Sequence, residues 1–341
     1  MSGGTDRVRV LATAPLRGPG LEALRAMGDV VLDPWIDHRP LRILDAEQLA
    51  ARAVAERADV LVVETDRVAG PVFDLPLRAI GVCRGDPTNV DVAGATAAGI
   101  PVLRTPGRNA GAVADLALGL LLAVTRGIVR ADADVRAGAV YRDGTIPYQR
   151  FRAWELDGLT VGVVGLGAVG RAARQRFAAL GMQVLTYDPY ATGSADMTGS
   201  ADMTDATHSL ADLLAAVDVV SMHAAVTTES ARMMGAEQFA TMRDGAVYLN
   251  TARAQLHDTD ALVAALASGH LGGAGLDHFE GEVLATDHPL TTFPNVVLTP
   301  HIGGATYDTE ARHTQSVAEG LAALLAGTAP ANLVNPEVMQ R

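Results

Sequence analysis

The chain has 341 residues, with 27 basic side chains against 39 acidic ones and a formal net charge of -12. All of the basic residues are arginine, so no Schiff base, no phosphate-binding P-loop lysine and no lysine base is available. The acidic balance argues against a nucleic-acid-binding face or attraction to an anionic membrane, and 49% hydrophobic residues are ample for a folded core.

Along the first third, apolar runs alternate with helical periodicity. Strands are expected at Val8–Ala12, 30–32, Val60–Val63, 77–82 and 101–104, with helices at 21–27 and 46–57. Continuous β-branched strands alternating with helices indicate a parallel sheet covered on both faces. Residues 110–126 read as a helix apolar nearly all round, hence buried. Its apolar run, 116–125, is far shorter than the roughly 20 residues of a membrane span. Residues 127–156 are more polar and carry Tyr141, Tyr148, Phe151 and Trp154, as a connecting arm whose aromatics are core plugs or a subunit contact.

A second alternating series follows. Its strands are expected at Thr160–Val164, Gln183–Tyr187, 217–222, Ala246–Asn250, 272–276 and Val296–Leu298, and a last helix at 306–325. The fold class is therefore α/β, with two Rossmann-like parallel-sheet domains. Between the second and third of these strands, TGSADM at 192–197 is repeated at 198–203, a composition suited to a surface loop. The single cysteine, Cys83, excludes an internal disulfide and is expected to be a small buried hydrophobe. No apolar leader opens the chain, so a cytoplasmic location is expected.

Residues 161–170 read VGVVGLGAVG, placing Gly165, Gly167 and Gly170 in G-x-G-x-x-G. The motif follows a strand and opens a helix expected at 169–180. The first glycine permits the turn, the second lets backbone approach a pyrophosphate, and the third lets helix and strand pack closely. The next strand ends in Asp188, eighteen residues past Gly170, where a carboxylate can accept from ribose hydroxyls. Asp188 would repel a 2′-phosphate, and Pro189 and Tyr190 supply no cation. NAD, as NADH in reduction, is expected rather than NADP.

Three later segments each end a strand: NTARAQLHD at 250–258, GAGLDHFEGE at 273–282 and LTPHIGGAT at 298–306. Arg253 can clamp a carboxylate, His301 can carry a proton, and Glu282 can hold the histidine. Histidine is suited to proton transfer near neutral pH, and a carboxylate beside it stabilises the imidazolium and fixes its tautomer. With no lysine, arginine is the cation available for a substrate carboxylate and carbonyl oxygen. The spacing of His257, His270, His278, His288 and His313 shows no metal-ligand pattern, so no metal is expected. His257 and His278 lie within the catalytic segments and can line the site.

These segments, with GDPTNVDVAGATAAGIPVLRTPGRNAGAVADLALGLLL at 85–122, LGMQVLTYDPY at 180–190 and VDVVSMH at 217–223, resemble the D-isomer-specific 2-hydroxyacid dehydrogenases. The resemblance is to the phosphoglycerate dehydrogenase-like group, in a short form without a regulatory domain. It implies a discontinuous substrate domain, 1–107 plus 307–341, and an NAD-binding domain at 108–306. It implies Arg253, Glu282 and His301 as the catalytic set. Besides the glycines and Asp188, it implies Ala168, Val169, Pro189, Thr251, Ala252, Asp277 and Gly303 on the cofactor. His223 is read as either cofactor-side or structural. It also implies a small 2-hydroxy or 2-keto acid as substrate and a homodimer joined through the cofactor domain.

The sequence departs from the family pattern at Ala254, at His257-Asp258, at Ala225 and Thr228, and at Asp115, without losing a catalytic group. In the family the loop at 83–89 cradles the substrate carboxylate. Here it carries Arg84, Gly85 and Asp86, so Arg84 either reaches a second anionic or polyhydroxylated end of the substrate or pairs with an acid such as Asp86. A non-catalytic NAD-sensing protein on the same fold is the alternative reading.

Overall fold

Runs of valine, leucine and alanine without polar interruption make stable strands only when both faces are covered. The computed structural model describes residues 7–190 and 209–340, so the TGSADM repeat lies outside the described residues. The chain divides into two units, Met1–Asn109 with Thr306–Arg341, and Ala110–Ala305.

The first unit holds β1 (Val8–Ala12), β2 (Gly28–Leu32), β3 (Val60–Val63), β4 (Ala79–Val82) and β5 (Val102–Leu103). They form one parallel sheet in the order β2-β1-β3-β4-β5. Alternate residues face opposite cores. Val10, Val62 and Ala79 pack with Leu24, Val317 and Leu321, so helices Pro19–Met27 and Tyr307–Leu325 cover one face. Leu11, Leu61 and Ile80 pack with Leu49 and Ala53 of helix Ala46–Glu56 on the other. That helix begins on a capping box between Asp45 and Gln48 and ends at Arg57, whose φ of 52° is left-handed. β5 is shorter than its sequence suggests. Leu103 bridges Leu333, and the Arg104 N–H donates to the Asn332 carbonyl, so the chain leaves the parallel ladder there.

The second unit holds β6 (Thr160–Val164), β7 (Gln183–Tyr187), β8 (Val219–Met222), β9 (Ala246–Asn250), β10 (Leu271–Leu276) and β11 (Val296–Leu298). Its parallel order is β11-β10-β9-β8-β6-β7. The order reverses between β6 and β8, and the crevice beyond those strand ends is where such sheets bind ligands. Helix Ala110–Thr125 packs Ala117, Leu120 and Leu121 with Val161, Val163 and Phe177. Leu213, Phe239 and Leu262 close the other face against Val220, Tyr248 and Leu276.

Among the described residues, no single helix is long and apolar enough to cross a membrane. Helices Ala110–Thr125 and Ile128–Arg136 follow one another across a bend of 63°. The first of them turns its apolar surface into the core just described. The arm at 127–156 contains helices Ile128–Arg136 and Pro147–Arg150. Buried Asp134 ties it together through Arg142 at 3.0 Å and Arg150 at 3.2 Å. Tyr141, Tyr148 and Trp154 are 77%, 86% and 84% exposed, so within this chain they plug no core.

Candidate active site

The glycine turn after β6 divides its labour as the motif requires. Gly165 has φ 93°, and a Cβ there would lie 2.6 Å from the Ala224 nitrogen. A Cβ on Gly170 would overlap the Gly165 carbonyl oxygen, so only glycine lets the helix pass that close. A Cβ on Gly167 would meet nothing within 4 Å. Open space therefore faces the start of helix Ala168–Ala179, whose first residues are Ala168 and Val169. Free N–H groups and a positive helix end facing open space suit a pyrophosphate. Asp188, just past β7, accepts from the Leu166 N–H at 2.7 Å and from the Tyr190 N–H at 2.9 Å. Its carboxylate thereby sits against the glycine turn, with lone pairs left for ribose hydroxyls. Pro189, beside it, is exposed. These residues fit a dinucleotide.

His223 lies under the turn, with Nε2 2.8 Å from the Ser221 hydroxyl. Its Cβ is 3.5 Å from where a Gly170 side chain would begin. Burial lowers its pKa to about 4, so the ring is neutral.

The strand ends carry the rest. At the end of β9, Asn250 is fully buried and ties the next turn. Its Oδ1 accepts from the N–H groups of Ala252 and Arg253 at 3.0 and 3.3 Å. Its Nδ2 donates to the Arg253 carbonyl at 2.8 Å and to His257 Nδ1 at 3.0 Å. Sequence reasoning passed over Asn250, although an Asn closing a strand before a turn is a signal. Thr251 is buried and Ala252 half-buried, while the Arg253 side chain is exposed. Its guanidinium donates to the Ala252 carbonyl at 2.6 Å and pairs with no carboxylate among the described residues. His257 is buried, and burial lowers its pKa to about 4.

Asp277, at the end of β10, is wholly buried and holds the loop after β11. Its carboxylate accepts from the Thr299 hydroxyl at 2.6 Å and from the N–H groups of Ile302 and Gly303 at 2.9 and 2.8 Å. Its own carbonyl accepts from the His301 N–H at 2.9 Å. Asp277 therefore fixes the loop that carries His301, a role its place in the sequence did not suggest.

His301 Nδ1 lies 3.1 Å from Glu282 Oε1. Both side chains are about half exposed, 48% and 54%. Both residues have left-handed backbone, φ 54° for His301 and φ 60° for Glu282. Positive φ is uncommon outside glycine, and two of the five such residues in the described chain form this one pair. The strain is held by hydrogen bonds: the Glu282 N–H donates to the Phe279 carbonyl at 3.0 Å, and Asp277 holds the His301 loop. His278 adjoins them, buried, with its ring centroid 3.9 Å from that of His301. Its Nδ1 lies 3.6 Å from Glu282 Oε1, beyond hydrogen-bond reach. Burial first, then the charges of His301 and Arg253, lower its pKa to about 4.

Arg84, Gly85 and Asp86 belong to the first unit. Arg84 donates to the Thr88 hydroxyl at 3.2 Å and pairs with neither Asp86 nor any other carboxylate among the described residues. Gly85 is half-buried and Asp86 exposed. Cys83 is buried, which pushes its thiol pKa well above the usual value. The first unit also contains a polar cluster that its sequence did not announce. The guanidinium of Arg108 meets Glu64 Oε1 and, at 2.7 Å, His313 Nδ1. His313 Nε2 donates to the Pro15 carbonyl at 2.6 Å, and Trp35 donates to Glu64 at 3.1 Å. Burial, opposed by the Pro15 hydrogen bond, lowers the His313 pKa.

Residues 118–303 match the family model for the D-isomer specific 2-hydroxyacid dehydrogenase, NAD binding domain. The chain is 37% identical over 336 residues to a glyoxylate reductase of Thermofilum pendens, covering 98% of this chain and 96% of that one. It is 37% identical over 311 residues to a D-3-phosphoglycerate dehydrogenase of Mycobacterium bovis, 91% of this chain but 56% of the longer relative. Among solved structures, the TT0316 protein from Thermus thermophilus superposes with a TM-score of 0.76 at 37% identity, covering 96% of this chain and 99% of that one.

Proposed function

Because the chain belongs to the D-isomer specific 2-hydroxyacid dehydrogenase family and is an NAD-dependent oxidoreductase of 2-hydroxy acids, we propose that His301, Glu282 and Arg253 carry its chemistry on a small 2-keto acid. The observation that carries this reading is the Glu282–His301 pair, 3.1 Å apart on two left-handed residues at adjacent strand ends. NAD held by the glycine turn and Asp188 would supply the hydride acceptor for C2 of the hydroxy acid, and NADH the hydride donor in reduction.

The chain's residues do the rest. Glu282 accepts a hydrogen bond from His301 Nδ1–H, which leaves Nε2 as the nitrogen that faces the substrate. Nε2 takes the hydroxyl proton as the hydride leaves, and in reduction gives a proton to the carbonyl oxygen. Arg253, free of any carboxylate partner among the described residues, pairs with the substrate carboxylate and draws charge toward the carbonyl oxygen. Asn250 and Asp277 hold the backbone of these two groups in place. Asp188 favours a free ribose 2′-hydroxyl, hence NADH over NADPH.

The glyoxylate reductase relative of nearly equal length supports a short substrate such as glyoxylate, reduced to glycolate, or hydroxypyruvate, reduced to D-glycerate. A second reading, an acid with a further anionic group, is favoured by Arg84, which no carboxylate among the described residues neutralises. NADH oxidation measured across glyoxylate, hydroxypyruvate, 3-phosphohydroxypyruvate and sugar-derived keto acids separates the two. An Arg84→Ala variant is expected to lose kcat/KM only on acids that carry a second anionic group. Equal kcat/KM for wild type and variant on every acid would remove Arg84 from the site, and no turnover on any acid would sink the whole reading. The exposed aromatics of the arm at 127–156 support a homodimer, and the single buried Cys83 suits a reducing cytoplasm.

A further inference from the structure

We infer that His278, Glu282 and His301 form a binding site for a divalent transition-metal ion of the zinc class, and that its occupancy switches the enzyme off. The three side chains offer two imidazole nitrogens and one carboxylate oxygen, all within 4.8 Å of one another. Tetrahedral zinc with ligand bonds of about 2.0–2.1 Å places its ligand atoms roughly 3.3 Å apart. Here Glu282 Oε1 lies 3.1 Å from His301 Nδ1 and 3.6 Å from His278 Nδ1, bracketing that separation. The two imidazole nitrogens lie within 4.8 Å of one another, so a small shift of the half-exposed His301 ring would complete the set.

A second observation points the same way. His278 is 3% exposed, and its buried Nδ1 has no hydrogen-bond partner. A buried polar atom without a partner is costly, and a metal ion would satisfy it. The half-exposed Glu282 and His301 leave an entry path and a fourth position for water. Two histidines and a glutamate with one open position suit zinc, cobalt or nickel, not magnesium, which prefers oxygen ligands. The charge of Arg253 opposes a cation here, and those of Asp277 and Glu282 favour it.

Binding would silence the site for a structural reason. A metal on His301 Nδ1 forces the ring proton onto Nε2, the nitrogen proposed to accept from the hydroxy acid. It also removes Glu282 from its hydrogen bond to the ring.

The test uses full-length, tag-free protein and begins without substrate, so that it does not depend on which acid is turned over. Cobalt(II) is titrated in and the visible d–d absorption of a tetrahedral or five-coordinate ion is recorded. One cobalt per chain is expected, displaced by zinc. His278→Val and, for binding alone, Glu282→Gln are each expected to weaken cobalt at least tenfold. In turnover assays, zinc is expected to inhibit wild type and chelator to restore it. Whatever turnover His278→Val retains should need at least tenfold more zinc for half-maximal inhibition than wild type. Because valine replaces an unsatisfied buried nitrogen, this variant is expected to fold. Absence of cobalt binding, or wild-type spectrum and zinc sensitivity in His278→Val, would overturn the site.

Discussion

At the scale of single residues, the proposed mechanism gives three side chains separable roles. His301→Ala is expected to lower kcat/KM by about 10²–10⁴, the usual worth of a positioned acid–base group. NADH binding, followed by fluorescence, should be unchanged, since the glycine turn and Asp188 are untouched. Arg253→Lys keeps the charge but not the planar fork, so it should raise KM for the keto acid and lower kcat/KM at least tenfold. A lysine variant with wild-type kinetics would show that Arg253 does not clamp the carboxylate. The protein contains no lysine anywhere, and each cationic task falls to arginine.

Elements matter because Arg253 and His301 stand on loops held by buried polar side chains, Asn250 and Asp277. Asp277 accepts three hydrogen bonds from the loop after β11. Asp277→Asn turns half of that carboxylate into a donor facing donors. The expected outcome is a fall in kcat of about tenfold or more, with His301 itself intact, seen in steady-state kinetics beside a normal circular dichroism spectrum. In the first unit, Arg108 and Glu64 form an ion pair with side chains 18% and 11% exposed. Arg108→Met strands Glu64 without its cation, which costs on the order of 3–5 kcal/mol. Urea unfolding should show it, and Arg108→Met with Glu64→Gln should recover much of the loss. A midpoint unchanged in the single variant would mean that solvent already screens the pair.

At the scale of the whole molecule, acid sensitivity follows from buried imidazoles. His223 and His257 titrate at about 4 in the folded chain, against about 6.5 for an unperturbed histidine. The folded values are depressed, so the unfolded chain binds more protons between those limits. Stability is complete above about pH 6.5 and is lost as pH falls toward 4. At about pH 5 each contributes a loss of about 2 kcal/mol. The apparent Tm should fall by on the order of 5–10 °C between about pH 7.5 and about pH 5. A flat Tm over that range would show that the two rings are not held neutral. Light scattering addresses assembly. If the arm joins two copies, Tyr148→Ser with Trp154→Ser should shift the mass from dimer to monomer; a dimer that survives both changes is joined elsewhere.

Much of this was legible in the sequence because it is local. Strand–glycine–helix–strand–Asp188 is a contiguous pattern, and each glycine's task is set by backbone sterics within a few residues. The parallel sheets follow from uninterrupted apolar runs, and Arg253, Glu282 and His301 are marked by their places after strands. What sequence periodicity does not encode is which distant polar groups meet once strands are laid side by side. The Asp277 anchor joins the end of β10 to the loop after β11, and in the Arg108–Glu64–His313 cluster the arginine meets a histidine 205 positions away. The spacing of the histidines gave no sign of a metal, yet the left-handed backbone at Glu282 and His301 turns both side chains toward His278. Local chemistry chose the reaction, whereas strand order and two strained residues, the His301 loop held by hydrogen bonds to distant Asp277, decided which atoms stand within reach of one another.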